Sequence, residues 1–307
     1  MSIDLAIIIP TYNVAGYIGA TLDSIAAQEV QPAQIIVVDD GSTDNTVDVI
    51  RKHKLAGQVE LVQQQNQGQG IARNTGIERA KTEYLYFLDS DDLVTPNFII
   101  SLKLRIEASN KPDVILFSGE SFEDDDYSGG SFNPQHYLRP FTGNFASQKE
   151  FFGALLAFPE LSCSPCLYVS KQCLWEQHNL AFNQFFHEDE ELFYRLLFAS
   201  NSFAVSTEVL FLRRLRNAST MTSHKTMKHA NGMHALITSL LNMIDANSDD
   251  KLRVMLLRKR LRRFIASYIL TCKAAGQAID RSLVWSAATQ IRHPRGHLSI
   301  LRAMIMR

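Results

Sequence analysis

The sequence contains no apolar run of the roughly 18 residues that a membrane-spanning helix requires. It also lacks the features of a signal peptide, because the short apolar run at residues 5–10 follows an acidic residue. With 46% hydrophobic and 21% charged residues, the 307-residue chain has an ordinary globular composition. These properties predict a cytoplasmic protein with one large α/β domain or two smaller ones.

Cysteine is also scarce, with four residues in the chain. Cys163 and Cys166 are close in sequence, but no second pair stands at the spacing of a zinc site. Cys173 and Cys272 have no evident partner in the sequence. We therefore expect reduced structural thiols.

Charge is distributed unevenly, although the net charge is only −1. Residues 224–307 contain 15 Lys and Arg against 4 Asp, so residues 1–223 carry a charge of about −12. This division predicts an acidic catalytic domain at 1–223 and a basic, helical C-terminal region at 224–307 that faces an anionic partner. No aromatic residues are interleaved with the basic ones as in nucleic-acid-binding modules, so we expect no nucleic acid.

Apolar strands alternate with helical patterns through the first 90 residues. The four strands are predicted at 5–9, 35–38, 59–62 and 84–88. Continuous apolar strands are typical of a sheet buried on both faces, and the alternation with helices predicts that it is mostly parallel. Ligand-binding loops then gather at the carboxyl edge of the sheet.

The strand at 84–88 runs directly into Asp89, Ser90, Asp91 and Asp92. Carboxylates this close raise one another's pKa values, and a divalent cation with oxygen ligands relieves the repulsion. The alternative is an acidic turn that caps the helix beginning near residue 96, although a cap needs one Asp and not three. The stretch therefore predicts a cation site.

Acidic residues concentrate again at 188–191, before a helix with apolar residues at helical spacing. A helix N-terminus stabilises negative charge, so capping explains one or two of these acids. Four acids after two bulky aromatics favour a functional carboxylate. In contrast, the acidic run at 123–126 is predicted to be a solvated loop.

A glycine-rich loop, Gly68-Gln69-Gly70, precedes another helix. Arg73 occupies the position of the third glycine of a dinucleotide-binding fingerprint, which argues against a Rossmann dehydrogenase. The glycines are expected to let the backbone approach a ligand closely, and Arg73 to supply charge to a phosphate or carboxylate.

Four motifs occur in order at residues 8–13, 38–44, 66–76 and 89–92. Together they closely resemble the family 2 glycosyltransferases, and the pair Glu188-Asp189 extends the resemblance to about residue 200. It implies the GT-A fold: α/β, with a mostly parallel central sheet flanked by helices, here followed by a helical C-terminal extension. The Gln-x-x-Arg-Trp element of processive members is missing, which favours addition of a single sugar.

The resemblance also implies a nucleotide-sugar site. Thr11 and Asp40 would border the base, with Asp39 beside them, and a carboxylate there suits the N3–H of uracil and hence a UDP-sugar. Arg73 would steady this pocket, and Arg214, Arg216 and Ser219 look like the basic loop that closes over the diphosphate. The implied site comprises Pro10, Thr11, Tyr12, Asp39, Asp40, Gly70, Arg73, Asp89, Ser90, Asp91, Arg214 and Arg216.

For catalysis, the resemblance implies Mn²⁺ or Mg²⁺ at Asp91 and Asp92, either of which could be the direct ligand. Asp189 matches the catalytic base of an inverting, single-displacement transfer, and Glu188 would orient it or share its role. Within 1–223, the nucleotide-binding half is expected at 1–110 and the acceptor-binding half at 111–223. The acceptor would be a glycan or a lipid-linked sugar in surface polysaccharide or lipopolysaccharide synthesis.

The C-terminal region contains a predicted basic amphipathic helix at 251–272. Its basic residues, Arg258, Lys259, Arg262 and Arg263, lie outside the apolar arc. The helix either packs its apolar side on the rest of the protein or also holds the enzyme to the anionic cytoplasmic face of the inner membrane.

Two other functions are weaker hypotheses. A sugar-phosphate nucleotidyltransferase would carry a glycine-rich basic loop after its first strand, where this sequence has Thr11-Tyr12-Asn13-Val14. A non-catalytic nucleotide-sugar-binding protein would have no need of Glu188 and Asp189.

Overall fold

The computed structural model describes residues 2–129, 133–158, 162–217, 226–291 and 294–305. The chain forms two compact units. The first comprises Met1–Gln148, Leu161–Gln184 and Arg195–Ser219, and the second comprises Lys149–Glu160, Phe185–Tyr194 and Thr220–Arg307. The second unit therefore includes two short segments, Lys149–Glu160 and Phe185–Tyr194, that were predicted from the sequence to belong to the catalytic domain at 1–223. The functional boundary after residue 223 remains a prediction.

The first unit is built on a mixed sheet whose strands, among the described residues, are β1 Ser2–Thr11, β2 Gln31–Asp39, β3 Val59–Gln63, β4 Tyr84–Phe87, β5 Leu93–Val94, β6 Val114–Glu123, β7 Gly143–Phe145, β8 Tyr168–Lys171 and β9 Phe203–Leu215. The strand order is β3-β2-β1-β4-β8-β6-β9-β5, with β7 paired to β9. Strands β3, β2, β1 and β4 are parallel, and β8 then pairs antiparallel with both β4 and β6. The predicted α/β architecture is confirmed.

The helices between these strands are α1 Ile18–Ala26, α2 Thr46–Lys52, α3 Gln69–Arg79, α4 Phe98–Ala108, α5 Gln148–Ala157, α6 Gln172–Gln177 and α7 Glu188–Ala199. The apolar strands β1 and β4 lie at the centre of the sheet, and Ile7, Ile8 and Tyr86 are fully buried. Helix α3 packs so closely on β1 that a Cβ atom at Gly76 would lie 2.3 Å from Cγ2 of Ile8.

The parallel strands end together, which positions the loops that follow them. Strand β1 pairs with β2 as far as Thr11 and Asp39. Beyond the strands, Asp40 N donates to Thr11 O at 2.8 Å, and Leu88 N donates to Ile8 O at 3.0 Å. The residues after β1, β2 and β4 therefore meet at one edge of the sheet.

The second unit contains the C-terminal helices α8 Met227–Ala246, α9 Lys251–Ala274, α10 Arg281–Gln290 and α11 Pro294–Ile305. Asp250 caps α9 by accepting from Leu252 N and Arg253 N, and Asp280 caps α10 by accepting from Leu283 N. Along the part of the chain that the structure describes, no helix is both long and apolar enough to span a bilayer.

The apolar arc predicted for the helix at 251–272 is buried in α9. Its basic side is partly used inside the protein, because Arg258 donates to Gln290 Oε1 at 2.9 Å and Lys259 donates to Leu155 O at 3.1 Å and to Phe158 O. Arg260 is buried and pairs with Glu190. Packing within the unit therefore accounts for two of the four cations, Arg258 and Lys259, that the membrane hypothesis assigned to a lipid-facing surface.

Candidate functional site

The two acids at the end of β2, Asp39 and Asp40, are both buried but are held differently. Asp40 is buried, and its carboxylate accepts from Gln64 Nε2 at 2.8 Å, Gln67 N at 2.9 Å and Gly68 N at 2.7 Å. Gly68 has a φ of +94°, a conformation that favours glycine. Asp40 therefore holds the glycine-rich loop in shape, whereas Asp39 accepts only long hydrogen bonds of 3.3 and 3.4 Å from Ser42 N among the contacts described.

The end of β1 lies beside these acids. Pro10 and Thr11 are buried, and Tyr12 is exposed at the rim. Asn13 ties the loops after β1 and β2 together, since its Oδ1 accepts from Thr43 N at 2.7 Å and its backbone N donates to Ser42 Oγ at 2.9 Å. The structure thus brings the residues predicted to border the base into one place.

Arg73 lies on α3, one turn after Gly70, and is buried. Its Nη2 donates to Asp89 Oδ1 at 2.8 Å, and Gln69 Nε2 donates to the same oxygen at 2.8 Å. The guanidinium also lies over the ring of Phe182, 5.1 Å from its centroid. Arg73 therefore fixes Asp89, which agrees with a pocket-steadying role; Phe182, distant in sequence, was missed.

The acidic residues after β4 also differ from one another. Asp92 is buried, and its Oδ1 accepts from Arg214 N at 2.8 Å. Burial, together with the nearby carboxylates of Asp91 and Asp89, raises the pKa of Asp92 well above its usual range. The Asp91 side chain is 21% exposed and pairs with Arg216 Nε at 2.6 Å. Ser90 is buried, and its carbonyl accepts from Thr21 Oγ1 at 3.0 Å.

One group of side chains among the described residues could hold a metal ion here. Ligand atoms of Asp89, Asp92 and Cys166 lie within 4.8 Å of one another. Burial, the largest effect, raises the pKa of the Cys166 thiol well above its usual range, and a neutral thiol is a poor ligand for Mg²⁺ or Mn²⁺. The carboxylates are oxygen donors of the kind these ions prefer. The acidic cluster therefore fits a hard divalent ion, and its two partly exposed carboxylates are Asp89 and Asp91, with side-chain fractions of 29% and 21%.

The end of β9 supplies the basic part of the site. Arg214 donates from Nε to Asp91 O at 2.9 Å and from Nη1 to Asp124 Oδ1 at 2.7 Å. Arg216 lies over the ring of Tyr17, 5.0 Å from its centroid. The interpretation of 123–126 as a solvated loop is wrong for Asp124, because this residue forms a partly buried ion pair. Ser219, also predicted for the basic loop, lies outside the described residues.

The acids at 188–191 belong to the second unit and begin α7. Glu190 accepts from Arg260 Nε at 2.7 Å, and the buried Glu191 accepts from Ser239 Oγ at 3.3 Å. These two acids therefore anchor the start of α7 to the C-terminal helices. Glu188 and Asp189 are partly exposed. The structure thus gives a structural reason for Glu190 and Glu191, and it does not test the catalytic roles predicted for Glu188 and Asp189.

Residues 6–153 match the family model described as "Glycosyl transferase family 2". This part of the chain belongs to that family. The glycosyltransferase GlyG of Streptococcus pneumoniae is 26% identical over 230 residues, which are 72% of this chain and 74% of GlyG. GlyA of the same organism is 34% identical over 103 residues, which cover 33% of this chain and 15% of GlyA. Several curated relatives are thus much longer than the segment they share with this chain.

Solved structures resemble the fold over nearly the whole chain. Staphylococcus aureus TarS in complex with UDP-GlcNAc gives a TM-score of 0.68 at 18% identity, covering 95% of this chain and 88% of the TarS chain. The mannosyltransferase PcManGT from Pyrobaculum calidifontis, in complex with GDP-Man and Mn²⁺, gives 0.57 at 15% identity, covering 99% and 85%. These likenesses confirm the GT-A-like fold that the motifs of the family 2 glycosyltransferase predicted.

Proposed function

We propose that this chain is a metal-dependent, inverting glycosyltransferase that moves one sugar from a nucleotide-diphosphate sugar, with UDP as the nucleotide, to a hydroxyl group. The acceptor is a glycan or a lipid-linked sugar in surface polysaccharide or lipopolysaccharide synthesis at the cytoplasmic face of the inner membrane. Membership of family 2 over residues 6–153 supports the reaction type. The donor class draws support from TarS, whose structure contains UDP-GlcNAc.

One observation carries the proposal: the carboxyl edge of the sheet collects groups suited to each part of a nucleotide sugar. Asp39 ends β2, Asp91 lies in the turn after β4, and Arg214 and Arg216 lie at and just after the end of β9. Hydrogen bonds from both arginines to Asp91 connect the ends of β4 and β9 directly. An acceptor for the base, oxygen ligands for a cation and guanidinium groups for phosphates thus share one edge. Ligands of open α/β sheets bind in this position.

At the base, Asp39 is the better partner for uracil. The Asp40 oxygens already accept three hydrogen bonds from residues 64–68. The hydrogen bonds that Asp39 receives from Ser42 N are longer than usual, so its carboxylate can accept more strongly from an N–H donor of a ligand. Thr11 and Tyr12 border this position from β1. Uracil has one N–H donor on this edge, at N3, and a single carboxylate can accept its hydrogen bond.

At the diphosphate, Asp91 and Asp92 would hold the metal ion, and Asp91 is the more exposed of the two. A bound Mn²⁺ or Mg²⁺ stabilises the negative charge that develops on the departing diphosphate. Arg73 and Gln69 keep Asp89 in place from α3. Arg214 and Arg216 add two positive charges, and guanidinium groups bind phosphate oxygens in a bidentate manner.

Asp189 would act as the general base that takes the proton from the acceptor hydroxyl as that oxygen attacks the anomeric carbon. The position of Asp189 at the start of α7 supports this role, because the helix dipole favours its ionised form. Glu188 orients Asp189 or shares its role. Glu191 is a weaker candidate, since it is buried and bound to Ser239.

The experiment is a screen of UDP-, GDP- and dTDP-sugars with Mn²⁺, in which release of the nucleoside diphosphate is measured. We expect slow hydrolysis of at least one UDP-sugar, abolished by Asp91→Asn and unaffected by Asp125→Asn, a change at an exposed carboxylate. Binding of UDP-sugars without any cleavage or transfer would favour the non-catalytic binding protein. Failure to bind any nucleotide sugar would overturn the proposal.

A further inference from the structure

Helix α11 has apolar side chains on two opposite sides. Ile300 and Ala303 are buried against the second unit. Lys273 on α9 donates from Nζ to Ala303 O at 2.8 Å and to Met304 O at 2.9 Å, which satisfies carbonyl groups at the end of α11. One side of α11 is therefore fixed to the helices of its own unit.

The other side carries Leu298, Leu301 and Ile305, which we term the exposed apolar stripe. Their exposed fractions are 54%, 55% and 78%. Spacings of three and four residues place them on one side of the helix, about half a turn away from Ala303. Single exposed apolar residues are common on protein surfaces, but three in register on one short helix mark an interaction surface.

Charge distinguishes between the possible partners of this stripe. Among the described residues of the second unit, Lys251, Arg263 and Arg281 are exposed cations, and Arg302 is exposed beside the stripe on α11. A second copy of the chain would bring the same positive charge against itself, which opposes association. An anionic bilayer complements both features, since its headgroups attract cations and its acyl region accepts apolar side chains.

We infer that α11 is a membrane-contact helix whose exposed apolar stripe enters the interface of an anionic lipid bilayer. This surface differs from the basic side of α9, where Arg258 and Lys259 bind groups within the protein. It does not depend on the proposed transfer reaction. The bilayer would hold the protein by a reversible contact along α11, with Arg302 next to the headgroups.

The test is flotation of the full chain with vesicles of phosphatidylglycerol and phosphatidylcholine, or of phosphatidylcholine alone. We expect stronger binding to the anionic vesicles and at least a tenfold loss of that binding in Leu301→Gln. The matched control is Leu104→Gln, because Leu104 on α4 has a similar exposed fraction, 59% against 55%. The control should bind vesicles as the wild type does.

Folding does not confound the comparison, since both leucines are more than half exposed and circular dichroism verifies each variant. Equal binding by Leu301→Gln and the wild type would overturn the inference. So would a loss confined to Arg263→Gln, which would move the contact to α9. Concentration-dependent dimerisation of the wild type, abolished by Leu301→Gln, would show that a second copy covers the stripe and would also overturn it.

Discussion

Arg216 Nε lies 2.6 Å from Asp91 Oδ2, so the carboxylate proposed to hold the metal ion is paired with a guanidinium group. Both partners are about one-fifth exposed, with side-chain fractions of 22% and 21%. A metal ion and Arg216 would compete for the same oxygen. Release of Arg216 by the metal would then free its charge for the donor phosphates.

Arg216→Gln tests this competition. We expect Mn²⁺ alone to bind several-fold more tightly, because the competing cation is gone, and UDP in the presence of Mn²⁺ to bind about tenfold more weakly, or about 1.4 kcal/mol. Calorimetry measures both affinities. Arg51→Gln, on the exposed side of α2, is the control. If both affinities stayed at their wild-type values, Arg216 would have no part in the site.

The acids at the start of α7 should separate into two groups on substitution. Asp189→Asn is expected to lower the transfer rate about 10²- to 10⁴-fold while donor binding and stability remain, as for removal of a general base. Glu190→Gln should instead destabilise the protein by about 3 kcal/mol, because it leaves the buried Arg260 with a weaker partner.

Transfer assays and urea unfolding of both variants distinguish the two roles. Near-wild-type transfer by Asp189→Asn would move the base to another residue, with Glu188 as the next candidate. A Glu190→Gln variant that kept full stability but lost transfer would show that Glu190 takes part in the chemistry.

The close packing of α3 on β1 predicts opposite effects for two helical glycines. Gly76→Ala should destabilise by about 1–3 kcal/mol, because its Cβ atom would lie 2.3 Å from Ile8 Cγ2. Gly153→Ala in α5 meets nothing within 4 Å and should stabilise by about 0.5–1 kcal/mol. Urea unfolding midpoints measure both. Equal effects would show that α3 does not pack on β1 in this way.

Asp113 predicts a dependence of stability on pH. Burial favours its neutral form, but hydrogen bonds from Asn201 N, Lys171 Nζ and Ser202 N outweigh that effect and lower its pKa. A lowered pKa in the folded state contributes stability above the unfolded value of about 3.9, and this contribution is lost as the pH falls through the folded value.

Asp113→Asn should therefore cost about 2 kcal/mol at pH 7, and the difference from the wild type should shrink below about pH 4. Urea unfolding between pH 7 and pH 3 measures this difference in stability. Asp249→Asn, at an exposed carboxylate, should show no such trend. A constant difference at every pH would mean that the charge of Asp113 is irrelevant.

Much of the first unit could be predicted from local sequence. Strands β1, β2 and β4 contain short apolar runs that polar residues follow, and a run of this kind specifies both a buried strand and the edge at which its ligands lie. The acidic turn at 89–92 could be predicted for the same reason, because it follows such a run. Strand β3 differs, since none of its residues is buried. Strand β5, only two residues long, has no pattern that would reveal it.

Residues paired across long sequence separations could not be predicted. Asp124 belongs to an acidic run typical of a loop, yet Arg214 holds it at 2.7 Å because β6 and β9 pair in parallel. Amphipathic periodicity predicts that the basic residues of the helix at 251–272 lie on one side. It cannot predict that Lys259 donates to a carbonyl group near the end of α5. The contacts of Asp124 and Lys259 depend on tertiary structure, which local sequence patterns do not reveal.

The most direct measurement is calorimetry of UDP binding in the presence of Mn²⁺, with the wild type and with Asp91→Asn. Metal-dependent binding at the carboxyl edge of the sheet predicts that EDTA abolishes binding to the wild type and that Asp91→Asn weakens it at least tenfold, while Asp125→Asn has no effect. UDP binding that is unchanged both by EDTA and by Asp91→Asn would contradict the proposed site.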